Sequence, residues 1–457
     1  MNKKYLVASL AVILFGIISS ALVAQDNSVV IKLFGSQMPV MAVPDLRGSG
    51  AAQSFMGPFN ETLYGDLANS GLFTMAAKGM YPLQVPQRPE DFKQPPRPGA
   101  SMGGLALSDW ASPPVQANFL ATGYTAETGG QIVLYGWLFD VTQPNLVNAQ
   151  IIGKRYFGSV DEAGARKVAH EFAADILAHW GGTSLYGTKI YFVSNRTGHK
   201  EVWSMDADGS NQKQLTSFKS MSIMPAVSPD GAKIAFTTYA SGNPGIFIIS
   251  TETGRRLQFY NQKASLNATP DFTPDGKQIL YASSASGYAQ IYVANLDGSN
   301  LRRISSSRAI EVEPKVNPKT GNDIVFVSGR SGPQQIFRMN FDGTGVERLT
   351  NGEGEASNPA WNPDGQVIAF SWTRGYATGN FNIFLMDVAT GKFDQLTHSE
   401  GRNENPSWAP DGRHLVFMST RSGSHQIWSM VANGSQVRQL TSAGINWTPV
   451  WGKSIGF

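Results

Sequence analysis

Six histidines are present, at positions 170, 179, 199, 398, 414 and 425, and no two of them have the His-x-x-x-His spacing that sets two imidazoles on one helix face around zinc. The chain has no Cys, which removes thiol nucleophiles, thiolate metal sites and disulfides. A serine-hydrolase elbow, Gly-x-Ser-x-Gly, is absent as well. Asp206-Ala-Asp208-Gly209 offers only two carboxylates where calcium wants several converging oxygens, and Asp-Gly is itself a strong hairpin signal. Gly48-Ser-Gly50 lacks the lysine of a phosphate loop. Trp361, Trp408 and Trp451 could stack a ligand, but they recur at a fixed period and read better as core filler. No catalytic set, metal site or cofactor site emerges. What remains is recognition chemistry: acidic, small polar and thioether residues just ahead of a recurring proline, namely Met221, Met224, Ala268, Thr269, Glu311, Glu313, Ser357, Asn358, Glu404, Asn405 and Thr448.

Those prolines define the elements that must position the set. Pro225, Pro270, Pro314, Pro359, Pro406 and Pro449 each open a Pro-x-Val, Pro-x-Phe or Pro-x-Trp run, 43 to 47 residues apart. That period is the length of a four-stranded propeller blade. Ser-Pro-Asp-Gly at 228–231, and its counterparts at 273–276, 362–365 and 409–412, supply a tight turn after the opening strand. Two apolar runs follow, such as Ile234-Ala-Phe236 and Ile246-Phe-Ile-Ile249. Runs that are continuous rather than alternating predict strands buried on both faces. A short polar strand then ends in Leu349-Thr350, Leu396-Thr397 or Leu440-Thr441, and Leu215-Thr216 is a further such ending. Residues 187–216 hold a unit without its opening strand, and Pro449-Val-Trp451 is an opening strand without its unit. The two ends therefore combine into a sixth blade and close the ring. In this topology the set ahead of the prolines rings one mouth of the channel, with Arg196, His199, Arg330, Arg374, Arg421 and His425 outside it.

Residues 25–182 do not repeat and predict an N-terminal α/β domain ahead of a propeller at 183–457. Strands are expected at Val29–Leu33, Val40–Val43, Phe119–Gly123 and Ile132–Val141. Helices are expected at Gln53–Ser70 and from a Ser159-x-x-Glu162 capping box to His179. Six prolines between 82 and 98 predict an exposed loop. Lys3 and Lys4, the apolar stretch to Ile18 and the small residues after it read as a signal peptide over 1–24, cleaved after Ala21 or Ala24. Without those lysines the net charge of +3 falls to +1, which gives no electrostatic footprint for nucleic acid or anionic lipid. The expectation is a periplasmic monomer that inserts in no membrane.

Asp66-Leu-Ala-Asn-Ser-Gly-Leu-Phe73, Trp110 with Ala117–Gly123, Leu138–Val141, Ala169–Asp175 and Thr188–Arg196 are joined to the propeller repeats. With this set the chain resembles the TolB family of periplasmic propeller proteins. The resemblance implies a two-domain fold, an N-terminal α/β domain followed by a six-bladed β-propeller closed by the C-terminal strand. It also implies a non-enzymatic component of the Tol-Pal system without a cofactor. The propeller mouth would bind the peptidoglycan-associated lipoprotein Pal, and the N-terminal tail at Gln25, Asp26 and Asn27 would engage TolA, in support of outer-membrane invagination during cell division and of envelope integrity. A carbohydrate-active lyase or hydrolase with its site in the central channel is the alternative.

Overall fold

The computed structural model describes residues 29–34 and 38–453. The signal peptide and the tail residues Gln25, Asp26 and Asn27 lie outside the described residues.

Each of the five uninterrupted repeats forms one antiparallel four-stranded sheet with its strands in chain order. The second of them comprises Asn267–Phe272, Gln278–Ser286, Tyr288–Asn295 and Arg302–Arg303. The middle strands are buried on both faces, as Val367–Trp372 and Asn382–Asp387 show at every position. Asp230 illustrates the first turn: its Oδ1 accepts the Ser228 hydroxyl and the Ala232 N–H, while Gly231 takes φ +71°. The terminal Leu-Thr has its own reason. Thr216, Thr350, Thr397 and Thr441 each accept through Oγ1 a backbone N–H of the third strand, from Val202, Ile336, Ile383 and Ile427 at 2.8–2.9 Å. A hydroxyl thus continues the ladder where the outer strand leaves it. The sixth sheet is composite: Asn446–Gly452 pairs antiparallel with Lys189–Ser194, Asn446 facing Ser194 and Trp451 facing Ile190.

The N-terminal unit is a mixed sheet in the order Thr74–Met75, Val40–Ala42, Phe119–Thr128, Gln131–Asp140, Gln150–Ser159, with Arg47–Ser49 also pairing Phe119–Thr128. The helices Met56–Ala68 and Glu162–His179 cover one face through Phe59, Leu63, Val168 and Phe172. Several elements differ from expectation. Val29–Phe34 is a helix, because Val29 and Leu33 lie one turn apart and pack together against the propeller; burial outweighs the β-branched composition. The helix expected from Gln53 is a 3-10 turn, Gly50–Phe55, before the α-helix begins at Met56. Pro58 has no N–H to donate back to residue 54, so the α-ladder cannot extend upstream. Asp161, not Ser159, caps the last helix, accepting the Gly164 N–H at 2.6 Å. The proline-rich segment is a strap rather than a free loop: Tyr81, Val85 and Phe92 pack on the second sheet face with Trp110 and Phe139, and Thr122 Oγ1 donates to Pro86 O. The edge strand Gln150–Ser159 escaped sequence reading because Gly153-Lys-Arg155 interrupts its apolar pattern.

The N-terminal unit touches the turn side of the fifth blade. His414 Nε2 meets Asn69 O at 2.5 Å, and Arg413 and Gln436 donate to Gly71 O and Ala68 O. Among the described residues it makes no hydrogen bond or ion pair to the opposite mouth of the channel.

Candidate functional site

The central channel is built by the six innermost strands and holds a cavity of about 360 Å³. Apart from Met221, which precedes its strand, the expected residues ahead of the prolines lie inside these strands. Every inner strand carries a register shift beside its proline, and the pre-proline residue takes φ between +42° and +54°. The six are Met224, Thr269, Glu313, Asn358, Asn405 and Thr448, and all line the channel. A left-handed conformation is costly for residues with a Cβ, so its sixfold recurrence marks a designed bulge that turns one side chain per blade inward.

Neighbouring blades are clasped through this ring. Glu313 N–H donates to Thr269 Oγ1 at 3.1 Å, and the Glu313 carboxylate accepts the Asn358 N–H at 2.7 Å and its amide Nδ2 at 3.1 Å. Ser371 Oγ bridges onward, donating to Asn358 Oδ1 at 3.0 Å and accepting from Asn405 N at 3.2 Å. Deeper in the channel Lys315 meets Asp271 at 3.1 Å. Trp361, Trp408 and Trp451 sit between blades, each donating its indole N–H to a neighbouring element at 3.0–3.1 Å.

The other expected residues fall in different places. Ala268 and Glu404 are almost covered, and Glu404 is paired with Arg402 at 2.6 Å. Met221 and Ser357 are half-buried. Glu311 is fully buried, bonded to Arg330 and to Ser328 Oγ, which removes it from any exposed surface. The arginines expected as a basic outer ring are braces. Arg196, Arg330 and Arg421 each donate Nε to the serine two residues before, and their guanidinium groups lie over Trp203, Phe337 and Trp428 at 4.5–5.2 Å. His425 stands beside Trp447, and burial followed by the Arg402 charge pushes its pKa down.

Sequence reasoning missed the apolar rim. Tyr239, Tyr288, Ile310 and Ile445 are exposed: Tyr239 sits in a second-to-third-strand loop, Tyr288 opens a third strand beside such a turn, and Ile310 and Ile445 stand immediately ahead of inner strands, hence all at the same mouth. Trp447 adds to it, with Lys200 Nζ 4.2 Å above its ring. Ile310 and Ile445 stand four residues before their opening prolines, a position that is also apolar at Met221 and Leu266, so the repeat carried a signal for them; Tyr239 and Tyr288 have none, because the second-to-third-strand hairpins vary from blade to blade.

Burial raises the pKa of Glu313, outweighing the Asn358 hydrogen bonds and Lys315. The folded chain therefore binds that proton more tightly than the unfolded chain, and stability falls as pH rises from the ordinary glutamate value through the raised folded one. Glu313→Gln cannot ionise and escapes this loss. The melting temperature of the variant minus that of the parent is expected to be more positive at about pH 8 than at about pH 4, where both side chains are neutral. Melting curves at the two pH values check it; a constant or shrinking difference would be the wrong sign.

The architecture defines a closed six-bladed propeller joined to an α/β unit, with an exposed apolar rim around one mouth. The family model for the TolB β-propeller domain matches residues 180–372 and 349–455, and the chain belongs to that family. A protein TolB homolog of Chlorobium luteolum is 32% identical over 233 residues, half of this chain and 49% of that one. The Tol-Pal system protein TolB of Geobacter sulfurreducens is 32% identical over 231 residues, 49% and 48% of the two chains. The chain thus spans about half the length of these curated relatives, and 30% of a TolB homolog of Chlorobium chlorochromatii, at 40% identity. The crystal structure of TolB from Acinetobacter baumannii superposes with a TM-score of 0.73 at 23% identity, covering 91% of this chain and 97% of that one, and so shares the fold.

Proposed function

We propose that the protein is a non-enzymatic, periplasmic component of the Tol-Pal system that docks the folded lipoprotein Pal at the propeller mouth opposite the N-terminal unit. The observation that carries this reading is the rim of Tyr239, Tyr288, Ile310 and Ile445 around a rigid, hydrogen-bonded ring, on the face opposite the one that unit bonds. Exposed apolar side chains set on a stiff scaffold and flanked by charges are the make-up of a protein interface. No observation favours a channel-centred enzyme: Asp271 is engaged by Lys315 and Glu313 by Asn358. The basic, apolar segment over 1–24 supports export, and a role in division and envelope integrity follows from membership of that system.

In this reading the N-terminal tail engages TolA and competes with its own docking. The helix Val29–Phe34 is held by Lys32 on Asp387, by Val30 N–H on Asp394 at 2.9 Å and by burial of Val29. A partner that binds only the released tail must overcome those contacts, which couples the tail to the propeller.

The test is surface-binding kinetics with the soluble domain of Pal. Tyr288→Ala with Ile310→Ala should weaken binding about tenfold or more, the loss of one buried anchor of roughly 1.4 kcal/mol. Lys277→Glu, on an exposed residue of the turn side, should leave it unchanged. Equal losses, or a loss only for Lys277→Glu, would move the site off the mouth. With purified TolA as analyte, Lys32→Glu should tighten binding; unchanged affinity would reject the competition while leaving the mouth reading standing.

A further inference from the structure

The strand Gln150–Ser159 is ten residues long and forms one edge of the N-terminal sheet. Register decides which of its backbone groups are spare. Val141 N–H donates to Asn118 O at 2.9 Å, and this pair continues the register in which Phe119 faces Asp140. Antiparallel hydrogen-bonded pairs recur every second residue. Odd-numbered residues of Gln131–Asp140 therefore bond to Phe119–Thr128, and even-numbered ones bond to the edge strand. Leu134 faces Tyr156 and Gly136 faces Lys154, so Lys154 and Tyr156 are the bonded residues of that strand. The N–H and C=O of Gly153, Arg155 and Phe157 must point away from the sheet. Lys167 Nζ agrees with this parity, donating to Phe157 O at 3.1 Å. The remaining outward groups, both on Gly153, both on Arg155 and the Phe157 N–H, have no protein partner among the described residues.

Alongside the edge runs a groove of about 840 Å³ between the strand, the helix Glu162–His179 and residues 183–186. Tyr156 and Ala174 form part of its wall, and Tyr186, stacked on His170 at 4.0 Å between ring centres, closes one side. The charges on it are not balanced. Lys154 is paired with Asp175 at 2.6 Å and Lys167 with Glu171 at 3.2 Å, whereas Arg155, exposed in the middle of the edge, has no carboxylate partner among the described residues. Exposed edges are usually short, bulged or covered; an open one beside a helix is the arrangement that accepts an added strand.

We propose that this edge takes up an extended, acidic segment of a partner protein as an additional strand along Gly153–Phe157, seated against the helix. Its backbone would satisfy the outward groups, alternate side chains would enter the groove, and a carboxylate would pair with Arg155. This site is separate from the propeller mouth and does not rest on the docking assigned there.

The probe is a fluorescein-labelled heptapeptide, Thr-Glu-Val-Glu-Val-Glu-Thr, titrated against the full-length exported chain and followed by anisotropy. Saturable binding is expected, at least tenfold weaker when each Glu is replaced by Lys, and none when alternate amides are N-methylated, which keeps the side chains but blocks the ladder. Arg155→Pro should abolish binding without unfolding the unit, since the Arg155 N–H points outward and is not used by the sheet. If that variant melts early, Arg155→Glu replaces it, with an expected tenfold loss for the acidic peptide and a gain for the lysine peptide. Undiminished binding of the N-methylated peptide, or of the acidic peptide to a folded Arg155→Pro chain, would overturn the proposal. So would concentration-dependent dimerisation that Arg155→Pro removes, which would assign the edge to a second copy.

Discussion

Deleting residues 444–457 is expected to abolish the cooperative fold of the propeller, although the cut removes only the last strand of the chain. That strand is the innermost of its blade. It pairs along Lys189–Ser194, brings Trp451 into the core with Ile190, Phe192 and Met205, and donates from the Trp451 indole to Thr188 Oγ1 at 3.0 Å. It also joins the last blade to the fifth, where Trp451 N–H donates to Ser407 Oγ at 3.0 Å. Its loss would leave Lys189–Ser194 as an open edge facing the channel and uncover the apolar faces of two blades. The composite blade is a velcro between the ends of the domain, so no local repair is available. Trp451→Ala tests the same contacts more gently and should cost roughly 3–5 kcal/mol. Circular dichroism during heating checks both: the truncated chain should show no single sharp transition, and the Trp451 variant a lowered one. A truncated chain that melts cooperatively near the parent's midpoint would contradict closure by this strand.

The propeller was legible because its signals are periodic and local. Pro-Asp-Gly turns, twin apolar runs and Leu-Thr endings each state one physical requirement, and four clear copies of the turn outweigh a weak one such as Asn317-Pro-Lys-Thr-Gly321. The ring of pre-proline residues was within reach for the same reason, though the bulge that turns them inward is not: proline ordinarily disfavours such a conformation in the residue before it, and only the closed ring imposes it. The rim was only partly legible: Ile310 and Ile445 share the position four residues before the opening proline, where Glu355 and Arg402 stand in two other blades, whereas Tyr288 belongs to a hairpin whose length and sequence no other blade repeats. In the N-terminal unit each element occurs once. The helix at Val29–Phe34 depends on a distant surface near Asp387 and Asp394, and the strand Gln150–Ser159 depends on a neighbour for its pairing. Patterns set by tertiary contact leave little trace in a window of ten residues.

The role of Glu311 separates scaffold from surface most sharply. Its side chain is fully buried and its Oε2 has no partner, while Oε1 takes the Arg330 Nε at 3.1 Å and Nη2 as well. In two other blades the same place is held by a neutral residue: Arg421 donates to Asn403 Oδ1 at 3.0 Å and Arg196 to Asn446 Oδ1 at 3.2 Å. The arginine brace is thus the repeated device, and Glu311 is a charged version of its acceptor. Removing one partner of a buried ion pair leaves an uncompensated charge, so Arg330→Ala is expected to destabilise the chain by roughly 3–5 kcal/mol. Glu311→Asn, which copies the other blades, should cost about 1 kcal/mol or less, because a neutral acceptor needs no counter-ion. The double variant should recover most of the loss of Arg330→Ala, a coupling that chemical denaturation of the four proteins would measure directly. Binding at the mouth should be the same for Glu311→Asn as for the parent, since the side chain touches no exposed surface. An Arg330→Ala chain within about 1 kcal/mol of the parent, or a double variant no better than it, would mean that the Arg330–Glu311 contact is not the brace that holds this blade.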